Sequence, residues 1–309
     1  MLEGVRDRLK FVPGKWEFKK CRGCGSAVLF PQPKAADLAS YYPPVYDFSI
    51  DFSGAFFKRL WTNLEYRFFF QPQYHGLARQ ILHGTGGQNL PRQHLLDVGT
   101  GLGLPLFFLR KYGYKVCGTD FRPEVVEYLE KQLAIPSVCT DAASLARHFP
   151  PASFDVVTAF HVLEHVADVQ TVIRNCFELL RPGGWFVNTI PLADSLQARL
   201  FRNRWAAASE APRHLSIPSR EGITSICKNV GFDRLKIQPC TVLDCAGVFV
   251  LSVLPSIGTR HLRKTHPISA LLIALAAVSV GMIAVPWCLA ENYLLGKPCM
   301  GTVFAHKPE

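Results

Sequence analysis

Asp97, Gly99, Gly101 and Gly103 alternate along LLDVGTGLG at residues 95–103. Glycine lets a backbone turn sharply and approach another group with no Cβ in the way. Such a turn between a strand and a helix leaves free N–H groups at the helix start. It also opens a gap above the sheet where a ligand can sit. A dinucleotide pyrophosphate is one ligand for a glycine-rich turn. Two details oppose it: the third glycine follows the second by two residues rather than three, and Asp97 beside the bend would repel a pyrophosphate. A carboxylate there suits an ammonium. Asp120 in GTD and Asp141 in TDA recur at strand ends. The first can accept both hydroxyls of a ribose. The second can accept an adenine amino group while Ala142 offers its backbone N–H. Each acid could instead cap a helix. Together they describe a ligand with a cationic end, a ribose and a base.

A second set could act on an acceptor. His161, in FHVLEH, falls just past a strand end, at the mouth of the cleft. It could contact the cofactor, deprotonate a hydroxyl, or simply pack under the ligand. Glu164 and His165 follow at once and could brace the loop. Arg213 and His214, in APRHLS, could hold an anionic substrate, with His214 a second candidate base. Trp205 could stack on a flat acceptor or pack within a lid. Cys21 and Cys24 form a knuckle suited to two of four zinc ligands. No partner pair is evident: residues 1–20 contain no cysteine.

The elements that must hold these residues alternate. HLLDVG, YKVCGTD, PSVCTD, SFDVVTAFHV, WFVNTIP, DRLKIQPC and GTVFAHKP read as seven strands. Helices fall between them at LPLFFLRKYG, RPEVVEYLEKQLA, AASLARHF, ADVQTVIRNCFELL (stopping at RPGG) and SREGITSICKNVGF. This alternation predicts a parallel sheet with helices on both faces. Upstream, a Pro-, Gly- and Tyr-rich stretch predicts a small irregular module with a short strand near Ala27 to Phe30. Residues from about 50 to 84 predict two helices interrupted at Pro72.

The formal charge of +10 favours anionic partners or a solvated basic surface. No five-residue run of lysines and arginines and no nucleic-acid motif points to DNA or RNA. Ten cysteines, mostly single and in apolar surroundings, fit a reducing compartment rather than a disulfide scaffold. The first residues carry no apolar core of signal-peptide length, so a cytoplasmic protein is expected.

The motifs LLDVGTGLG, GTD, TDA, FDVVTAFHVLEHVAD and LLRPGGWFVNTIP, in this order over roughly residues 92 to 192, resemble the class I S-adenosylmethionine-dependent methyltransferases. The resemblance implies that Asp97, Gly99, Thr100, Gly101 and Gly103 hold the methionine part of the cofactor. It implies Asp120 and Phe121 at the ribose, Asp141 and Ala142 at the adenine, and Phe160 and His161 beside the cofactor. Ubiquinone-biosynthesis methyltransferases look similar near Glu164 and His165 and hold a divalent metal in that turn. His161 replaces the Glu that their pattern favours, so no metal is assigned. Related enzymes carry two cysteine knuckles before such a core, and Cys21–Cys24 resembles a remnant.

The expected fold is α/β: a Rossmann-like, seven-stranded, mostly parallel sheet with a small N-terminal cap and an apolar helical insertion before the last strand. The expected units are 1–48, a cysteine-knuckle module; 49–90, a helical cap; 91–240, the cofactor-binding core; 241–296, the apolar insertion; and 297–309, the last strand. The expected reaction is methyl transfer from S-adenosylmethionine to a small or lipophilic acceptor, oxygen first. Carbon methylation of a sugar nucleotide and a non-catalytic membrane-associated role are the alternatives. His161 and His214 are the candidate bases; Trp205, Arg213 and His214 are the candidate substrate contacts. Residues 268–290 are 23 without a formal charge, long enough to span a bilayer. A single crossing would separate the last strand from its sheet. The segment is therefore either a buried helix or, with residues 247–257, a hairpin at a membrane, with TRHLRKTH meeting anionic headgroups.

Overall fold

The computed structural model describes residues 2–8, 12–42, 67, 71–86, 93–255 and 267–309. The seven expected strands form one sheet: β4 (His94–Val98), β5 (Lys115–Asp120), β6 (Ser137–Cys139), β7 (Phe154–Phe160), β8 (Leu180–Pro191), β10 (Arg234–Pro239) and β11 (Met300–His306). Their order is β10-β11-β8-β7-β4-β5-β6. β11 runs antiparallel to β8 and β10, and the other pairs are parallel.

Side chains alternate across a strand, and neighbours in these apolar runs feed two different cores. Leu96, Val157 and Phe186 pack with Ile173 of α4 (Val169–Leu179) and Ile223 of α6 (Arg220–Val230). Leu95, Val156 and Val187 face the other way. They meet Ile81 of α1 (Gln71–Gly84), Leu106 of α2 (Leu104–Lys111) and Leu129 of α3 (Pro123–Leu133). Both faces are covered, as a parallel sheet requires.

The structure departs from the sequence reading in four places. AASLARHF makes only a 3-10 turn, Leu145–Arg147. RPGG does not separate helix from strand, because β8 already begins at Leu180. Of the two helices expected over residues 50–84, the first lies outside the described residues. The second, α1, carries Pro72 in its first turn, where a missing N–H leaves no bond unmade. The N-terminal module is not irregular. β1 (Leu2–Val5), β2 (Trp16–Lys20) and β3 (Ala27–Phe30) form an antiparallel sheet, completed by β9 (Ser216–Ile217) from the segment after α5 (Leu196–Phe201).

The knuckle docks on the core through hydrogen bonds. Ser26 Oγ accepts from the Ser219 N–H at 3.0 Å and from the Cys24 thiol at 3.2 Å. Ser219 also bonds the Cys24 carbonyl, and its Oγ caps α6.

β10 leaves the sheet into α7 (Val242–Val253). The chain returns through α8 (Pro267–Leu289) and a π-turn at Ala290–Leu294 to β11. Ala284 and Cys288 of α8 are buried against Cys245, Ala246 and Phe249 of α7. Most of the other described side chains of α8 are open: Val278 is 63% exposed, Met282 68% and Ile283 64%. α8 is thus one arm of a hairpin and not a core helix.

Candidate functional site

β4 ends at Asp97–Val98, and the chain turns through Gly99, Gly101 and Gly103 at φ +66°, +54° and +67°. All three lie in the left-handed region that glycine favours, yet each has its own reason. A Cβ on Gly99 would come within 2.7 Å of Val162 Cγ2. A Cβ on Gly103 would come within 2.5 Å of Leu129 Cδ2. A Cβ on Gly101 would meet nothing within 4 Å. The outer glycines allow close packing, and the middle one keeps a ligand space open. Thr100 ties the turn to β5: its N–H donates to the Thr119 carbonyl at 2.7 Å, and its hydroxyl accepts from the Thr119 N–H at 3.1 Å.

Asp97, Gly99, Thr100 and Gly101 line a pocket with Phe160 and His161. Asp97 is buried and accepts from the Thr158 hydroxyl at 2.6 Å. Burial pushes its carboxyl up to about 7 against the pull of the Thr158 and Thr100 hydrogen bonds, and nearby Asp120 adds to the rise. An uncompensated buried carboxyl beside an open space fits a cationic partner. Asp120 lies beneath the same turn. Its oxygens accept from the Gly101 N–H at 3.1 Å and the Arg122 N–H at 3.0 Å. Burial raises its carboxyl, while the Arg122 and Gly101 N–H groups and the Arg122 cation oppose the rise. Arg122 Nε also lies 3.5 Å from Oδ1; a carboxylate has about four acceptor positions, so the Oδ2 side of Asp120 keeps room for a ribose hydroxyl. The residues present therefore fit S-adenosylmethionine: an acid for the ammonium, a cradle at Gly101, and an acid one turn away.

Phe121 lies outside this pocket with its ring 46% exposed and edge-on to Tyr42 at 5.8 Å. Asp141 is exposed, and its Oδ1 accepts from the Ala143 N–H at 2.8 Å. Ala142 bonds Asn175 through its carbonyl at 3.4 Å. Gly103 packs behind the turn.

His161 adopts φ +56°, a conformation that persists only where its surroundings hold it. Its N–H donates to the Thr189 carbonyl at 2.9 Å, and its Nδ1 lies 3.3 Å from Glu164 Oε1. The ring is half exposed, whereas Glu164 is fully buried. Burial lowers the imidazole, but the hydrogen bond and charge of Glu164 outweigh it, so His161 sits above its ordinary value. Burial would raise Glu164, yet His161 and the neighbouring imidazoles bring it down to about 2.

The other acceptor candidates are elsewhere. Arg213 is buried and forks onto Asp7 at 3.0 and 3.3 Å, so its guanidinium braces the N-terminal sheet. Trp205 is 1% exposed and packs with Val5, Phe18 and Leu29. His214 is buried; its Nδ1 bonds the Ala207 carbonyl at 2.7 Å, and its ring abuts His165 at 4.6 Å. None of the three lines the pocket. The stretch between β8 and α6 folds onto the N-terminal strands instead, which draws these side chains inward. Among the described residues, the ligand atoms of Glu164, His165 and His214 lie within 4.8 Å of one another and could hold a metal ion. Burial, and after it the neighbouring His214 imidazole, push His165 down to about 4, so it is neutral at pH 7.

The far wall is new relative to the sequence reading. Tyr74, Leu77 and Gln80 come from α1, Thr241 and Asp244 from the start of α7, and Met300 and Thr302 from β11. Asp244 had a signal: it is the only charge in TVLDCAGVFVLSV. Thr241 caps α7, accepting from the Asp244 N–H at 3.2 Å and donating to Asp244 Oδ2 at 2.7 Å.

A family model described as a methyltransferase domain matches residues 70–237. The chain belongs to this family, the class I S-adenosylmethionine-dependent methyltransferases, and the residues of its site fit S-adenosylmethionine as the cofactor. Ubiquinone biosynthesis O-methyltransferases of Coxiella burnetii are 37% identical over 107 residues, covering 33% of this chain and 45% of theirs. That of Xanthomonas campestris is 37% identical over 107 residues, covering 33% and 44%. The match thus spans less than half the length of these relatives. A putative sarcosine dimethylglycine methyltransferase of Galdieria sulphuraria shares the fold at TM-score 0.52, 16% identity and coverage of 76% and 85%. A [4+2]-cyclase, SpnF, shares it at TM-score 0.50, 21% identity and coverage of 76% and 80%. The fold by itself does not dictate methyl transfer.

Proposed function

We propose that this chain methylates an oxygen of a small or lipophilic acceptor, with His161 as the base. The observation that carries this reading is the placement of His161. It shares one pocket with the Asp97–Gly101 turn, and a buried carboxylate backs its ring. The bound cofactor supplies an electrophilic methyl group on a sulfonium. The residues of the chain do the rest. Asp97 and the glycine turn fix the cofactor's amino acid end. His161 Nε2 accepts the acceptor's hydroxyl proton, and Glu164 stabilises the resulting imidazolium. Tyr74, Leu77 and Met300 exclude water from the acceptor side. Positioning of this kind is where most of the rate arises when the leaving group is already good. The name of the relatives at 37% identity, O-methyltransferase, supports oxygen as the acceptor atom.

The test is methyl transfer from labelled S-adenosylmethionine to a panel of phenols with and without isoprenoid tails. Label in a methyl ether is the expected result, lost in His161→Ala at unchanged cofactor affinity. Label on carbon or nitrogen, or full activity in His161→Ala, overturns the assignment of oxygen and of the base.

A further inference from the structure

We infer that the α7–α8 hairpin inserts into a lipid bilayer and holds the catalytic domain at an anionic membrane surface. α8 has no charged residue, and only 22% of the apolar stretch Leu275–Leu294, which continues α8 into the π-turn, is buried. A core helix would be mostly covered. Apolar residues occupy all sides of α8, and a helix of that kind belongs in a core or in lipid. With the core excluded by exposure, lipid is the remaining solvent. The occupant is a bilayer rather than a second copy because of how the two ends of α8 differ.

At 1.5 Å per residue, α8 is about 34 Å long, against about 30 Å for a bilayer's hydrocarbon. Its base is fixed. Gln197 Nε2 bonds the Cys245 carbonyl at 3.2 Å, Cys288 Sγ at 3.5 Å and the buried Glu291 at 3.0 Å. Phe249 lies 6.1 Å from Trp287, ring to ring. Cys245 thus pairs with Cys288, and the end of α7 at Val253 falls level with about residue 280. The rest of α8 runs on for about 20 Å. Near the base, Trp287 is 36% and Tyr293 65% exposed. Aromatic residues of this type settle at the membrane–water boundary. At the other end the connecting sequence carries Arg260, Arg263 and Lys264 with no acid between them. Full charges are costly in hydrocarbon, so this link belongs in a headgroup layer, where anionic lipid complements it. Both strands that flank the hairpin lie in one sheet, so the chain enters and leaves the membrane on one side. Cys240, Thr241 and Asp244 at the base also wall the pocket, which opens beside the lipid surface.

The experiment is flotation of the full chain, without detergent, with phosphatidylglycerol/phosphatidylcholine vesicles and with phosphatidylcholine alone. Co-flotation with the anionic vesicles is expected. Replacing Arg260, Arg263 and Lys264 by Ala should weaken partitioning there roughly a hundredfold, at about fivefold per charge, and leave neutral vesicles unaffected. Val278→Asp with Met282→Asp should abolish flotation. Both side chains point away from the domain, so calorimetric binding of S-adenosylmethionine should be unchanged and shows that the variant is folded. Protein that stays at the bottom of both gradients overturns the proposal, and a dimer in light scattering would then assign the face to a second copy. Flotation untouched by the two aspartates also overturns it. Neither readout involves methyl transfer, so the proposed activity stands or falls separately.

Discussion

His161 Nδ1 and Glu164 Oε1 lie 3.3 Å apart, one ring half in solvent and one carboxylate wholly out of it. The buried charge makes the imidazole a stronger base than a free histidine. Turnover should therefore rise with pH through a value above that of an ordinary histidine. Glu164→Gln removes the charge that holds the imidazolium. The rising limb should move to lower pH and the plateau should drop, by about tenfold or more. A pH–rate profile that keeps its midpoint in the variant would separate Glu164 from the base.

Asp97 gives cofactor binding its own pH dependence. Its carboxyl rests at about 7, and only the ionised form can hold an ammonium as a salt bridge. Affinity is lost as pH falls through that value. From pH 8 to pH 6 the ionised fraction of Asp97 drops about tenfold, and the affinity of S-adenosylmethionine should fall by less than that, because the ligand's own α-amino group has lost part of its charge at pH 8. In Asp97→Asn the calorimetric affinity should be weak and flat over the same range.

The glycines of the turn should fail in different ways. Gly101→Val puts a branched side chain into open space at φ +54°, so it should cost backbone strain alone, about 1–3 kcal/mol, leave the domain folded and abolish cofactor binding. Gly103→Ala meets Leu129 at 2.5 Å, and overpacking with a strained backbone should cost about 2–5 kcal/mol of stability. Thermal unfolding and calorimetry on the two variants distinguish the outcomes. Equal destabilisation would mean that Gly101 packs as Gly103 does.

Arg213 should behave as a brace. Arg213→Ala leaves Asp7 buried without its fork, and broken buried pairs typically cost about 3–5 kcal/mol. The measurement is the denaturation midpoint. An unchanged midpoint with a raised KM would return Arg213 to the substrate.

The sheet was legible because apolar runs, acids and glycines recur at the spacing the fold demands. The strand from Ala27 to Phe30 was visible for the same reason. Its partner was not: Ser216–Ile217 is two residues long, and nothing local marks it as a strand. The Asp97–Gly101 wall of the pocket is contiguous in sequence and could be read. The opposite wall gathers α1, α7 and β11 from three distant stretches, and only the folded chain brings them together. Trp205, Arg213 and His214 misled for a related reason. Their types suit a ligand site, but pairing with the N-terminal strands turned them inward, and that pairing is long-range.

β10 and β11 lie side by side, register to register from Arg234–His306 to Pro239–Gly301. The whole hairpin is the loop between them. Cys240 and Met300, the residues where it departs and returns, bond backbone to backbone at 3.2 Å and both wall the pocket. Mechanically this is a pair of tongs with its pivot at the site. Whatever displaces the tips meets the sheet first at this pair, in the wall of the pocket.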